Sequence, residues 1–131
     1  MGHRAALTRA SVEQAAEAFK ACAGLDPQGR ATPMSAALAG ESFKVETDSG
    51  ACIYTLSARA AGRCWIHAAA GTGQGMTEAG LSVIEAQARA VGCASVAFQT
   101  MRRGLVHKAL ALGYSIAGSV GRGFILEKQI A

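Results

Sequence analysis

Apolar residues first recur at helical spacing. Val12, Ala15, Ala16, Phe19 and Ala23 lie three or four apart, and Ser11 with Gln14 forms a capping box ahead of them. Residues 4–10 read as a short strand before this helix; Gly24 reads as its stop and Asp26-Pro27-Gln28-Gly29 as a turn. Thr32-Pro33 opens a second, short helix that stops at Gly40. The pattern then alternates. Residues 42–47 and 51–59 read as strands joined across Asp48-Ser49-Gly50, and Ala61-Gly62 turns the chain into a third strand over 63–69. There Cys64, Ile66 and Ala68 fall on one face, Trp65 and His67 on the other. A glycine-rich loop, Gly71-Thr72-Gly73-Gln74-Gly75, feeds a helix over 76–91 with one apolar face of Leu81, Ile84, Ala88 and Val91. Gly92 ends it, and residues 94–99 form a buried-type strand. Thr100 caps a helix over 101–112, with Leu105, Ala109 and Leu112 toward the core and Gly113 at its end. Residues 114–120 and 124–130 close the chain as strands around Gly121-Arg122-Gly123.

An antiparallel meander followed by a β-loop-α-β crossover predicts one α+β domain over residues 1–131. Its sheet is mixed but mostly antiparallel, flanked by about four helices. The composition fits one core and no second one: of 131 residues, 29 are alanine and 31 are Val, Ile, Leu, Met, Phe or Trp. Charged residues make up only 17%, which argues against a disordered chain and leaves surface for oligomer or assembly contacts. The net charge of +4 permits acidic partners without demanding them.

No apolar run reaches the ~20 residues of a membrane span, and the first ten residues lack a signal-peptide stretch. Cys22, Cys52, Cys64 and Cys93 form no Cys-x-x-Cys pair, and His3, His67 and His107 are scattered. This predicts no metal site and no disulfide framework, but reduced thiols in a cytoplasmic protein.

The segment from Cys64 to Tyr114 runs strand, glycine loop, helix, Gly92, strand ending at Thr100, helix, then Gly113-Tyr114. In this order and spacing the chain resembles the GNAT superfamily of acetyl-CoA-dependent N-acetyltransferases, over nearly its whole length. Phe98-Gln99-Thr100-Met101-Arg102-Arg103-Gly104-Leu105 and Ile125-Leu126-Glu127-Lys128 resemble GNAT-like proteins encoded beside the structural genes of tailed bacteriophages. The resemblance implies that residues 72–77 (Thr72, Gly73, Gln74, Gly75, Met76, Thr77) cradle the pyrophosphate of acetyl-CoA, with Gly75 as the central glycine of the family's Gln/Arg-x-x-Gly-x-Gly/Ala loop. Thr72 stands where the family has Gln or Arg, and Thr77 where it has Gly or Ala. Ala109 occupies the place of the tyrosine that protonates the departing thiolate. The strand before the loop carries no carboxylate, which leaves His67 as the candidate base.

These departures lead to two expectations. The first is a catalytically degenerate GNAT-fold protein acting through protein contacts, in a phage virion or a homo-oligomer, in the host cytoplasm or the particle. The second is an active N-acetyltransferase using acetyl-CoA and His67. A nucleic-acid-binding accessory is a weaker third: Arg102, Arg103, His107 and Lys108 are basic, but no aromatics are interleaved for base stacking, so they read as a solvated face. Trp65 and Tyr114 read as anchoring and packing residues, Cys64 as core, and Gly80 as a point of close helix-to-sheet contact.

Overall fold

The computed structural model describes residues 5–22 and 31–131. His3, the start of the first strand at Arg4, the stop at Gly24 and the turn at 26–29 lie outside the described residues.

The elements run β1 (Ala6–Arg9), α1 (Val12–Phe19), α2 (Pro33–Leu38), β2 (Glu41–Thr47), β3 (Gly50–Arg59), β4 (Arg63–Gly73), α3 (Met76–Ala90), β5 (Ser95–Thr100), α4 (Arg103–Ala111), β6 (Ser115–Val120) and β7 (Gly123–Gln129). The seven strands form one sheet in the order β1-β2-β3-β4-β5-β7-β6. Only β4 and β5 are parallel, as the α3 crossover requires. This is the α+β arrangement the sequence predicts, with four helices on the described chain.

Local chemistry fixes the helix ends. The Ser11 hydroxyl accepts from Gln14 N–H at 3.1 Å, and the Gln14 amide oxygen accepts from Ser11 N–H at 2.9 Å. Thr32 and Ser35 repeat this reciprocal cap on α2. Both long helices end in the same reversal, at Gly92 and Gly113, each at positive φ. Cys93 N–H returns to Ala88 C=O and Gly92 N–H to Arg89 C=O; Tyr114 N–H returns to Ala109 C=O and Gly113 N–H to Leu110 C=O. These Schellman turns aim Cys93 and Tyr114 back into the core. The stop at Ala90 leaves Val91 74% exposed, so Val91 does not belong to the apolar face assigned to it. On α4 the fully enclosed side chains are Val106 and Ala109, while Leu105 and Leu112 are only partly buried.

Within the single domain, two clusters of buried apolar side chains lie against the sheet. One joins α3 and α4 to Cys52, Tyr54, Leu56, Cys64 and Ile66. The smaller joins Ala15, Ala16, Phe19, Ala36 and Ala37 to Ile53, Ala68 and Ala70. The strict alternation expected along 63–69 fails here. Leu56 pairs with Ile66 but Thr55 pairs with Ala68, so His67 has no partner and β4 bulges. The bulge shifts the side-chain parity, which places Ala68 with the α1–α2 core rather than beside Cys64 and Ile66.

Candidate functional site

β4 and β5 pair for four rungs, from Arg63–Ser95 to Ile66–Phe98. Beyond that rung β4 stays with β3 as far as Gly73, and β5 stays with β7 as far as Thr100. The two strands therefore part at the His67 bulge. The gap is a cleft of about 460 Å³, walled by both strands, the start of α3, the side of α4 and the α1–α2 layer.

Of the residues matched to the phosphate loop, Gly73, Gln74, Gly75, Met76 and Thr77 line this cleft and Thr72 does not. The five-residue loop expected at 71–75 is mostly strand. Cys52 pairs with Gly71, Ala51 with Thr72 and Gly50 with Gly73. Glycine is required at 73, at φ +109°, because a Cβ there would stand 2.1 Å from the Ser49 carbonyl oxygen. Only Gln74 and Gly75 turn the chain into α3.

Gly75 is the N-cap of α3, at φ +74°, and offers no side chain to cap it. A Cβ there would meet only Glu78 Oε2, at 3.8 Å. Ala79 N–H is bonded to Gly75 C=O, so the amides of Met76, Thr77 and Glu78 lie ahead of the helical ladder without a side-chain cap. Such amides, aligned with the helix dipole, suit an anion. A diphosphate fits this end by its backbone geometry, while the nearby Glu78 carboxylate opposes it.

His67 lines the cleft at the bulge, half-buried. Its Nε2 is 2.6 Å from Ser57 Oγ. Burial, reinforced by the Arg59 guanidinium, lowers its pKa below the ordinary 6.5, so the ring is neutral at pH 7. Arg59 is itself held over the Trp65 ring at 4.7 Å. Burial raises the thiols instead: Cys52 and Cys64 to about 11, and Cys22 upward against the opposing pull of Arg102. None is a thiolate at neutral pH, and Cys64 lies in the core.

Ala109 is completely buried and presents no proton donor to the cleft. Tyr114 OH donates to Glu85 at 3.0 Å, where Lys128 Nζ also donates at 3.0 Å. Burial, and then the Glu85 charge, push the phenol well above its usual range. Arg102, Leu105 and Lys108 line the cleft together, whereas Arg103 and His107 are exposed elsewhere. The basic run is thus split and is not one solvated face. The spacing of three from 102 to 108 is the signal that places these residues on one side of a helix.

Among the described residues no group of three or more His, Cys, Asp or Glu could hold a metal, and no helix is long and apolar enough to cross a membrane.

No family model matches the sequence, and no curated protein does. Solved structures match the fold. A protein from Desulfovibrio desulfuricans assigned to the GNAT family of acetyltransferases is 12% identical, with a TM-score of 0.71 over 98% of this chain and 100% of that one. A Bacillus subtilis acetyltransferase solved in complex with CoA is 14% identical, with a TM-score of 0.70 over 99% and 100%. An IAA acetyltransferase from Bacillus cereus is 16% identical, with a TM-score of 0.68 over 96% and 99%.

Proposed function

We propose that this chain, which has the GNAT fold, binds a coenzyme A thioester in the cleft between β4 and β5 and transfers its acyl group to an amine. The reading is carried by one observation: the cleft runs from the uncapped start of α3 to a histidine held neutral at the β4 bulge. Acetyl-CoA would supply the acetyl group as an activated thioester. The amides of Met76, Thr77 and Glu78 receive the diphosphate at one end. At the other end the 2.6 Å contact between His67 Nε2 and Ser57 Oγ fixes the ring; in the tautomer that carries its proton on Nε2, the ring donates to Ser57 and Nδ1 takes the proton from the attacking amine. The C–N bond forms as the C–S bond breaks, and with Ala109 in the acid position the thiolate is protonated by water. The similarity to an acetyltransferase solved with CoA supports the choice of cofactor.

Titrating the protein with CoA tests the reading. At 100 times the dissociation constant, binding should stabilise the fold by about 2.7 kcal/mol, read as a rise in Tm. In the acetyl-transfer assay kcat should fall on an acid limb below pH 6.5, and His67→Gln should lower kcat and remove that limb. An unchanged Tm at millimolar CoA would eliminate the proposal.

A second reading, a non-catalytic module acting through protein contacts in a phage particle or a homo-oligomer, is favoured by buried Ala109 and by the exposure of Leu110 (43%) and Ile116 (50%). It requires a solution mass above that of one chain, or co-purification with a large assembly.

A further inference from the structure

The chain carries primary amines of its own. Lys20, Lys44, Lys108 and Lys128 are its four lysines. Three of them are held by carboxylates: Lys20 Nζ lies 2.6 Å from Glu17, Lys44 Nζ 3.5 Å from Glu46 and Lys128 Nζ 3.0 Å from Glu85. None of these three lines the cleft. Lys108 does, from the side of α4, and it is exposed there. Among the described residues no carboxylate lies within ion-pair distance of its Nζ, and none of the described residues that line the cleft is Asp or Glu.

The helix fixes where this lysine starts. Arg102, Leu105 and Lys108 recur every three residues and face the cleft together, while the next residue, Ala109, is completely buried and seats α4 on the core. The flexible lysine stem thus leaves one wall of the cleft whose other walls carry His67 and the start of α3. The other nucleophiles that line the cleft are poorer. Burial raises the Cys22 thiol, and the Cys52 thiol to about 11, so both stay protonated at pH 7. Thr32 Oγ1 accepts from Ser35 N–H and Thr100 Oγ1 from Arg102 N–H, each at 3.0 Å. An alcohol without an adjacent base is a weak nucleophile. A primary amine tethered in the cleft needs no diffusional encounter and acts at an effective concentration of roughly millimolar.

We infer that Lys108 is an acyl acceptor in cis: with no other amine present, the protein acylates this one side chain from the thioester in its own cleft. The inference rests on the acyl-transfer reading above. Lys108 Nζ sheds one proton to solvent and the free amine attacks the thioester carbonyl. The C–N bond forms as the C–S bond breaks, the second amine proton passes to solvent, and the departing thiolate takes a proton from water. An amide replaces an ammonium, so the cleft loses a positive charge. The test is incubation of the full chain with acetyl-CoA and no added amine, followed by intact mass and peptide mapping. One acetyl group per chain should appear, on Lys108, at a rate about tenfold or more above that of Lys20, Lys44 or Lys128. Excess CoA should slow the reaction at Lys108 and leave the other three unchanged, and Lys108→Arg should abolish the label that CoA suppresses. Labelling spread evenly over the four lysines, labelling at Lys108 that CoA does not slow, a dominant label on any other residue, or no label in a protein whose Tm rises with CoA would overturn the inference and leave the cofactor reading in place. A protein that binds no CoA overturns both.

Discussion

Glu78 stands closer than any other group to the place a side chain at Gly75 would occupy. A carboxylate in the first turn stabilises α3 through the helix dipole, yet the same partial positive charge is what would attract a diphosphate. The two anions compete for one set of amides. Glu78→Gln should therefore tighten CoA binding about two- to fivefold, the scale of a single screened like-charge contact, and the gain should shrink in high salt. Calorimetric titration at low and high ionic strength reads both effects. Weaker binding in the variant would mean that the diphosphate does not lie at this helix end. At this scale the sequence is informative about identity and poor about setting. His67 stands out because residues 63–69 hold no carboxylate. Nothing in the chain marks the unpaired bulge that turns its ring into the cleft, because a bulge arises from register between β3 and β4 and not from residue type. Arg102 and Lys108 read as solvated because a charged run usually is; the walls opposite them are supplied by residues distant in sequence.

The elements are legible where punctuation is local. Ser11, Thr32, Gly92 and Gly113 each end or begin a helix through their own backbone or side-chain bonds, and each appears where it is expected. The glycines at 71 and 73 mislead because the same residue serves a loop and a crowded strand. Here they lie in β4, and the neighbouring Ser49 carbonyl, not a phosphate, makes glycine necessary at 73. Gly80 lies, as expected, where α3 meets the sheet. It is buried in the middle of α3, but a Cβ there would sit 3.5 Å from Cys52 Sγ, an ordinary contact. Close approach to the sheet does not demand a glycine. Gly80→Ala should stabilise the protein by about 0.5–1 kcal/mol through helix propensity, seen as a Tm higher by a few degrees. Since Gly80 also lines the cleft, the added methyl should weaken CoA binding. A variant less stable than the parent would show that α3 and β3 are too tightly packed for even this group.

For the whole molecule, one sheet has to be closed at one end and open at the other. Its cleft exists only because β4 and β5 pair for four rungs and then separate, so the closed end carries the load of holding them together. A side-chain cluster sits at the first of those rungs. Arg63 donates to both oxygens of Glu127, from Nε at 3.1 Å and Nη2 at 3.0 Å, and Ser95 Oγ donates to the same carboxylate at 2.7 Å. Three strands, β4, β5 and β7, are thereby tied through one group. The Ser95 hydrogen bond, followed by those from Arg63, holds the Glu127 pKa below the ordinary 4.5 despite the opposing effect of burial. The folded state thus binds this proton less readily than the unfolded chain does. The cluster's contribution is fully present above about pH 5 and is lost as acid titrates the carboxylate through its lowered pKa. Glu127→Gln should reduce stability by about 1–3 kcal/mol at pH 7, since it strands the Arg63 charge and removes a charge-assisted acceptor. At pH 3 the difference should narrow, because the parent is then losing the same charge. Urea midpoints of both proteins at the two pH values decide the matter. A deficit that stays constant with pH would assign Glu127 a packing role, and the closed end of the sheet would then rest on the β4–β5 ladder alone.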